Sequence, residues 1–227
     1  FRHWCSERKN STGLLLQKGA HDIDVIHWLC GAYAKRVVGM GKLSVYDKCE
    51  RRKPEEAPDR EIAWKESTWP PLETKKFSPQ IDVEDHNMIM MELENHIQAS
   101  YTQCFYTPDS ERNYTFIGTK GRLENIGDVG DCQIHVWTSR GSRQNPDIIH
   151  QLKGGSSNHG GADPELVKAF VNFALNGVAP NTSPVAARNA VAAGVLAHES
   201  MRNGNIPKDI PELPQNIIDY FNNGQAR

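Results

Sequence analysis

A chain of 227 residues is long enough to bury a sizeable core, removing roughly 70% of its unfolded surface from water. Hydrophobic residues at 38% and charged residues at 24% exclude collagen-like, coiled-coil and wholly disordered classes. A formal net charge of −2 leaves no basic excess for nucleic acid or an anionic membrane surface, so neither is an expected partner. Cys5, Cys30, Cys49, Cys104 and Cys132 are odd in number, widely spaced and without a CxxC pair, which reads as reduced thiols of a cytoplasmic protein. No apolar run approaches the roughly 20 residues of a membrane helix.

The opening Phe1-Arg2-His3-Trp4 lacks Met and reads like the middle of a longer protein. Val25, Trp28 and Leu29 recur at helical spacing and stop at Gly31, predicting a helix from about Lys18 to Cys30. Lys35 to Tyr46 is Val-rich and suits a strand. Residues 47–84 change character: the mixed-charge run Glu50 to Glu56 and the Trp69-Pro70-Pro71 break predict an excursion or lid, with Trp64 and Trp69 favouring docking. Asn87, Ile89, Met91 and Leu93 alternate with their neighbours, turn at Asn95-His96 and return through Ile97 to Tyr106 as an antiparallel hairpin. Further short strands follow at Tyr114–Ile117, Arg122–Glu124, Cys132–Trp137 and Ile148–Leu152.

Helices then close the chain. Asp163-Pro164-Glu165 reads as N-cap, first-turn proline and acid, with Asn176-Gly177 as the stop. Ser183-Pro184 opens a second helix whose Ala187, Val191, Gly194 and Val195 suggest a small-residue packing face, and a third is expected near Gln215 to Phe221. The sum is a single α+β domain over 1–227, a large, mostly antiparallel sheet with helices packed on one face.

Two clusters carry chemistry. Lys18, His21, Asp22, Asp24 and His27 crowd one helix, where Asp24 shares a face with both histidines, so that a carboxylate can orient an imidazole as a proton acceptor. The plainer alternative leaves His27 at the surface and His21 in the core; a metal site from His21, Asp24 and His27 lacks the paired-histidine spacing of a zinc helix. The second cluster, Asn158-His159-Gly160-Gly161-Ala162-Asp163, combines backbone freedom with a helix start, or is a connector with Asp163 capping. Asp82, Glu84, Asp85 and His86 read as a solvated start of a strand. No phosphate-binding glycine fingerprint, P-loop or nucleophile elbow occurs.

The segment from Gly13 through His21, Asp24 and Trp28 to Gly31 resembles the signature helix in the C-terminal domain of the Gfo/Idh/MocA family (glucose-fructose oxidoreductase, inositol dehydrogenase and rhizopine catabolism). Glu84-Asp85, Phe116 to Glu124, His159 to Asp163, and Ser183-Pro184 through Glu199-Ser200 follow in family order. The resemblance implies an α+β domain that binds substrate and forms oligomers, dimers or tetramers, through its sheet. The partner Rossmann domain, absent from this chain, would bind NAD or NADP, so that the chain alone would be inactive and hold no cofactor or metal. By the same resemblance His21 is the acid–base residue, assisted by Lys18, with Gln17, Asp22, His159 and Asp163 near the substrate and Asp24 and Trp28 structural. Gln17 stands where the family usually has Asp, and an amide cannot exchange a proton at neutral pH.

The function this implies is the C-terminal domain of an NAD(P)-dependent oxidoreductase acting on a sugar or polyol hydroxyl. The alternatives are a glycosidase of the same family that uses its nicotinamide transiently, and a catalytically degenerate scaffold.

Overall fold

The computed structural model describes residues 1–57, 69–128, 130–154, 158–180 and 182–222, with the backbone alone at 158, 160 and 222. Trp64 lies outside the described residues. Two compact units are present: Phe1–Pro108 with Asn181–Arg227, and Asp109–Pro180.

In the first unit three short helices come in succession, α1 (Arg8–Ser11), α2 (Leu14–Gln17) and α3 (Gly19–Cys30). Gly31 ends α3 in the left-handed region at φ 67°, its N–H donating back to the His27 and Trp28 carbonyls, as the sequence predicts. The buried face differs from the expected one. Ile23, Ile26 and His27 turn inward, whereas Trp28 is 77% exposed and Leu29 half-exposed. The phase differs because buried polar residues, His27 and Asp22, hold their places by hydrogen bonds that a hydrophobicity pattern does not register.

Strand β1 (Ala34–Lys42) pairs antiparallel with β2 (His86–Leu93), and β2 with β3 (Gln98–Cys104). The expected two-residue turn is a three-residue one: Leu93 lies opposite Ile97, and His96 takes φ 67°. The Asn95 amide reinforces it by donating to the Cys30 carbonyl at 2.9 Å. Val37, Ile89, Met91 and Leu93 form the inner face and meet Ile23 and Ile26 of α3. Burying each such aliphatic side chain stabilises the fold by roughly 2 kcal/mol.

Ala190, Ala193 and Ala197 complete this core from α5 (Pro184–Arg202), a later helix opened as expected by Ser183, whose Oγ accepts from the Ala186 N–H at 3.2 Å. Of the expected packing face Gly194 is buried and Val195 half-buried, whereas Ala187 and Val191 are exposed. Small residues let backbones touch: a Cβ on Gly39 would lie 2.2 Å from the Ala197 carbonyl oxygen, and one on Gly194 2.7 Å from that of Leu15. A two-residue strand β8 (Lys208–Asp209) joins the free edge of β1, giving the order β3-β2-β1-β8, and α6 (Gln215–Asn222) ends the unit.

The excursion is partly a core element. Tyr46, Cys49 and Phe77 form a second buried cluster with Leu43, Val45, Ile81 and Phe105 around it. Asp85, expected to be solvated, is fully buried and accepts from the Ser44, Val45 and Tyr46 N–H groups at 3.1, 2.7 and 2.8 Å. Glu84 is buried as well, held by Arg202 at 2.8 Å and Arg8 at 2.8 Å. Glu84 and Asp85 are buried because each carboxylate has dedicated donors waiting for it.

The second unit is an antiparallel sheet in the order β4 (Thr115–Gly118), β5 (Gly121–Ile126), β6 (Cys132–Trp137), β7 (Ile148–Leu152), followed by α4 (Ala162–Asn176). The Arg122 guanidinium stacks 4.1 Å from the Trp137 ring centre. The strands thus make an α+β fold with two four-stranded antiparallel sheets.

Candidate functional site

The helical run is interrupted at Lys18, whose φ of −120° and ψ of −43° separate α2 from α3 at what we term the elbow. This elbow presents the predicted residues unequally: Lys18 and His21 are exposed, Gln17 and Asp24 half-buried. Three residues apart in α3, His21 and Asp24 share a face. Burial pushes the Asp24 carboxyl above its ordinary range, and the nearby His21 charge opposes that in part. An exposed imidazole beside a partly desolvated carboxylate can take up and release a proton at the surface of α3.

Asp22, expected to reach the substrate, is turned away from solvent. At 6% exposure its Oδ2 accepts the Tyr101 hydroxyl proton at 2.6 Å. Tyr101 in turn accepts from Gln103 Nε2 at 2.8 Å, and the same nitrogen donates to the Leu14 carbonyl at 3.2 Å.

His27 is buried rather than superficial. Its Nε2 lone pair accepts the Ala34 N–H at 3.1 Å and so is not offered to a cation with His21 and Asp24, and burial lowers its pKa to about 4, so the ring is neutral. Among the described residues no three His, Cys, Asp or Glu side chains converge as a metal-ligand set. His198, which the sequence reading passed over, behaves likewise. Its Nε2 accepts the Leu15 N–H at 3.1 Å at the start of α2, and burial, reinforced by the Arg202 charge, lowers its pKa to about 4. It packs beside buried Glu84, which exposed Arg8 and half-buried Arg202 pair with, and Arg202 also donates to the Thr12 carbonyl at 2.7 Å. Burial opposes the Glu84 charge, but hydrogen bonds from Arg202 and the backbone together with the Arg202 and Arg8 charges outweigh it and hold this carboxyl below its usual range. Hydropathy gave no sign of this support beneath α2, although the family resemblance did touch Glu84-Asp85.

In the second unit, His159 Nδ1 lies 3.0 Å from Asp163 Oδ2, both side chains well exposed. Asp163 is therefore not the N-cap; Gly161 occupies that position at φ 89°, and the carboxylate instead orients the imidazole. A shallow depression of about 450 Å³ crosses the outer face of the first sheet, lined by Arg36, Val38, Met90, Glu92, Gln98 and Ser100 among others. It includes none of the elbow residues.

The family described as "Oxidoreductase family, C-terminal alpha/beta domain" matches residues 1–209. A Bacillus subtilis (strain 168) protein named as an oxidoreductase, YteT, is 23% identical over 211 residues, covering 74% of this chain and 48% of that protein. The solved oxidoreductase domain protein from Kribbella flavida superposes with a TM-score of 0.64 at 15% identity, covering 92% of this chain and 55% of its own. A levoglucosan dehydrogenase solved with NADH and levoglucosan gives 0.61 at 13% identity, with 93% and 54% covered. The chain spans about half the length of the relatives it matches.

Proposed function

We propose, for a chain that belongs to the Gfo/Idh/MocA oxidoreductase family as its C-terminal alpha/beta domain, that it is the substrate-binding half of an NAD(P)-dependent sugar or polyol dehydrogenase. The observation that carries this reading is the α2–α3 elbow, where an exposed His21 stands beside the half-buried Asp24 within the family-matching segment. The solved relative bound to NADH and levoglucosan supports the chemical class.

In this reading the nicotinamide is held chiefly by a dinucleotide-binding domain of the whole protein and supplies the hydride acceptor. The residues here fit that division of labour: the elbow offers proton-transfer groups and no phosphate-binding loop. His21 takes the hydroxyl proton as the carbon-bound hydrogen leaves. Asp24 stabilises the imidazolium that results by its charge. Exposed Lys18 favours the alkoxide-like oxygen by charge, and Gln17, an amide that both donates and accepts, orients a hydroxyl without exchanging its proton. Met40, Met88 and Met90 project from the outer face of the first sheet, and we assign that face to contact with a second copy of the chain.

The test uses the whole protein with NAD+ or NADP+ and a panel including levoglucosan, glucose and myo-inositol, following reduced-nicotinamide absorbance. Sustained reduction on one substrate is expected. Release of free sugar from a glycoside without net reduction would replace this reading with a glycosidase.

A further inference from the structure

We propose that Tyr101 and Gln103 on β3 are positioning residues, a clamp that holds both ends of the α2–α3 elbow and so fixes where Gln17, Lys18 and His21 point. The inference rests on the proton-transfer reading of His21 given above.

Two side chains from one face of β3 make the clamp. Gln103 Nε2 donates both to the Leu14 carbonyl, at the first residue of α2, and to the Tyr101 hydroxyl, at 3.2 and 2.8 Å. The Tyr101 hydroxyl in turn donates to Asp22 Oδ2 in the first turn of α3, at 2.6 Å. The segment between the two anchored residues carries Gln17, Lys18 and His21. Its backbone lies directly on the clamp: a Cβ at Gly19 would sit 3.1 Å from the Tyr101 ring and 3.3 Å from the Gln103 amide.

The hydrogen-bond directions are fixed. Both amide hydrogens of Gln103 are committed, so the Tyr101 oxygen receives one and its single proton goes to the carboxylate. Directional bonds of this kind set the angle of a short helix in a way that apolar contacts do not. The arrangement is also a costly means of filling space. Gln103 Oε1 is buried with no partner among the described residues, a penalty that an aliphatic residue packed at the same place would avoid. A polar pair retained against that penalty is explained by what it orients.

Tyr101→Phe tests this, because it keeps the ring against Gly19 and removes the hydroxyl through which Gln103 is linked to Asp22. In the whole protein labelled with 13C-histidine, the His21 ring signal is expected to move, while those of buried His27 and His198 stay and certify the fold. On the panel substrate kcat is expected to fall about tenfold with KM changed by less than about threefold, the pattern of a misaimed reacting group. Gln103→Met, which frees the Leu14 end instead, carries the same comparison should Tyr101→Phe fail to fold. An unmoved His21 signal overturns the clamp, as does normal turnover in Tyr101→Phe beside a dead His21→Ala. Full turnover in His21→Ala overturns the proton-transfer reading itself, and this role for the clamp with it.

Discussion

Asp85 and His21 mark the two fates of polar residues in this chain. Asp85 has no exposure and three backbone donors, so it fixes the loop after β1 rather than meeting a ligand. Asp85→Ala strands those N–H groups in a buried setting and is expected to destabilise the protein by about 3 kcal/mol, read as a lower urea midpoint with unchanged slope. A midpoint equal to the parent's would mean that water replaces the carboxylate without cost. His21 has the opposite situation, exposed and beside one carboxyl, which is where proton exchange with a ligand can occur.

At the scale of elements, α5 and β1 touch through their backbones. Gly39→Ala would drive a methyl group to 2.2 Å from the Ala197 carbonyl, an encounter with backbone that no rotamer change relieves. A loss of about 3 kcal/mol is expected, measured by thermal unfolding; a stability within error of the parent would show that α5 lifts freely from the sheet. Element limits were legible where local chemistry writes them: Gly31 at the end of α3, Ser183-Pro184 at the start of α5, and the alternation of Asn87, Ile89, Met91 and Leu93 in β2. Facing was less legible. Trp28 was expected inward and is outside, while Asp22, His27, Glu84 and Asp85 are inside, because each depends on a partner distant in sequence. Strand β8 was missed for a related reason, since two residues pair through backbone alone and leave no pattern. Of the site, the elbow residues were legible through the family resemblance, whereas the clamp on β3 required the register that sets Tyr101 and Gln103 beneath them.

For the molecule as a whole, His27 and His198 tie stability to pH. Both are held neutral with pKa values of about 4, below the ordinary 6.5. Above pH 6.5 neither the folded nor the unfolded state binds these protons, so their contribution is complete there. As pH falls from 6.5 towards 4, the unfolded chain takes up protons that the fold refuses. Stability then drops by up to about 1.4 kcal/mol per pH unit per histidine. Glu84, held below its usual range, acts in the same direction at the acid end. Urea unfolding at pH 7 and pH 4.5 is expected to show the lower midpoint at pH 4.5, with a smaller difference in His198→Gln; equal midpoints would mean that both rings are protonated in place.

The most direct test of the central claim compares the whole protein with its His21→Ala variant in reduced-nicotinamide absorbance on the sugar and polyol panel. The account predicts sustained reduction by the parent on one substrate, a loss of at least about a hundredfold in kcat in the variant, and unchanged affinity for the nicotinamide. Equal turnover by the two proteins would contradict it, because the elbow would then carry no proton.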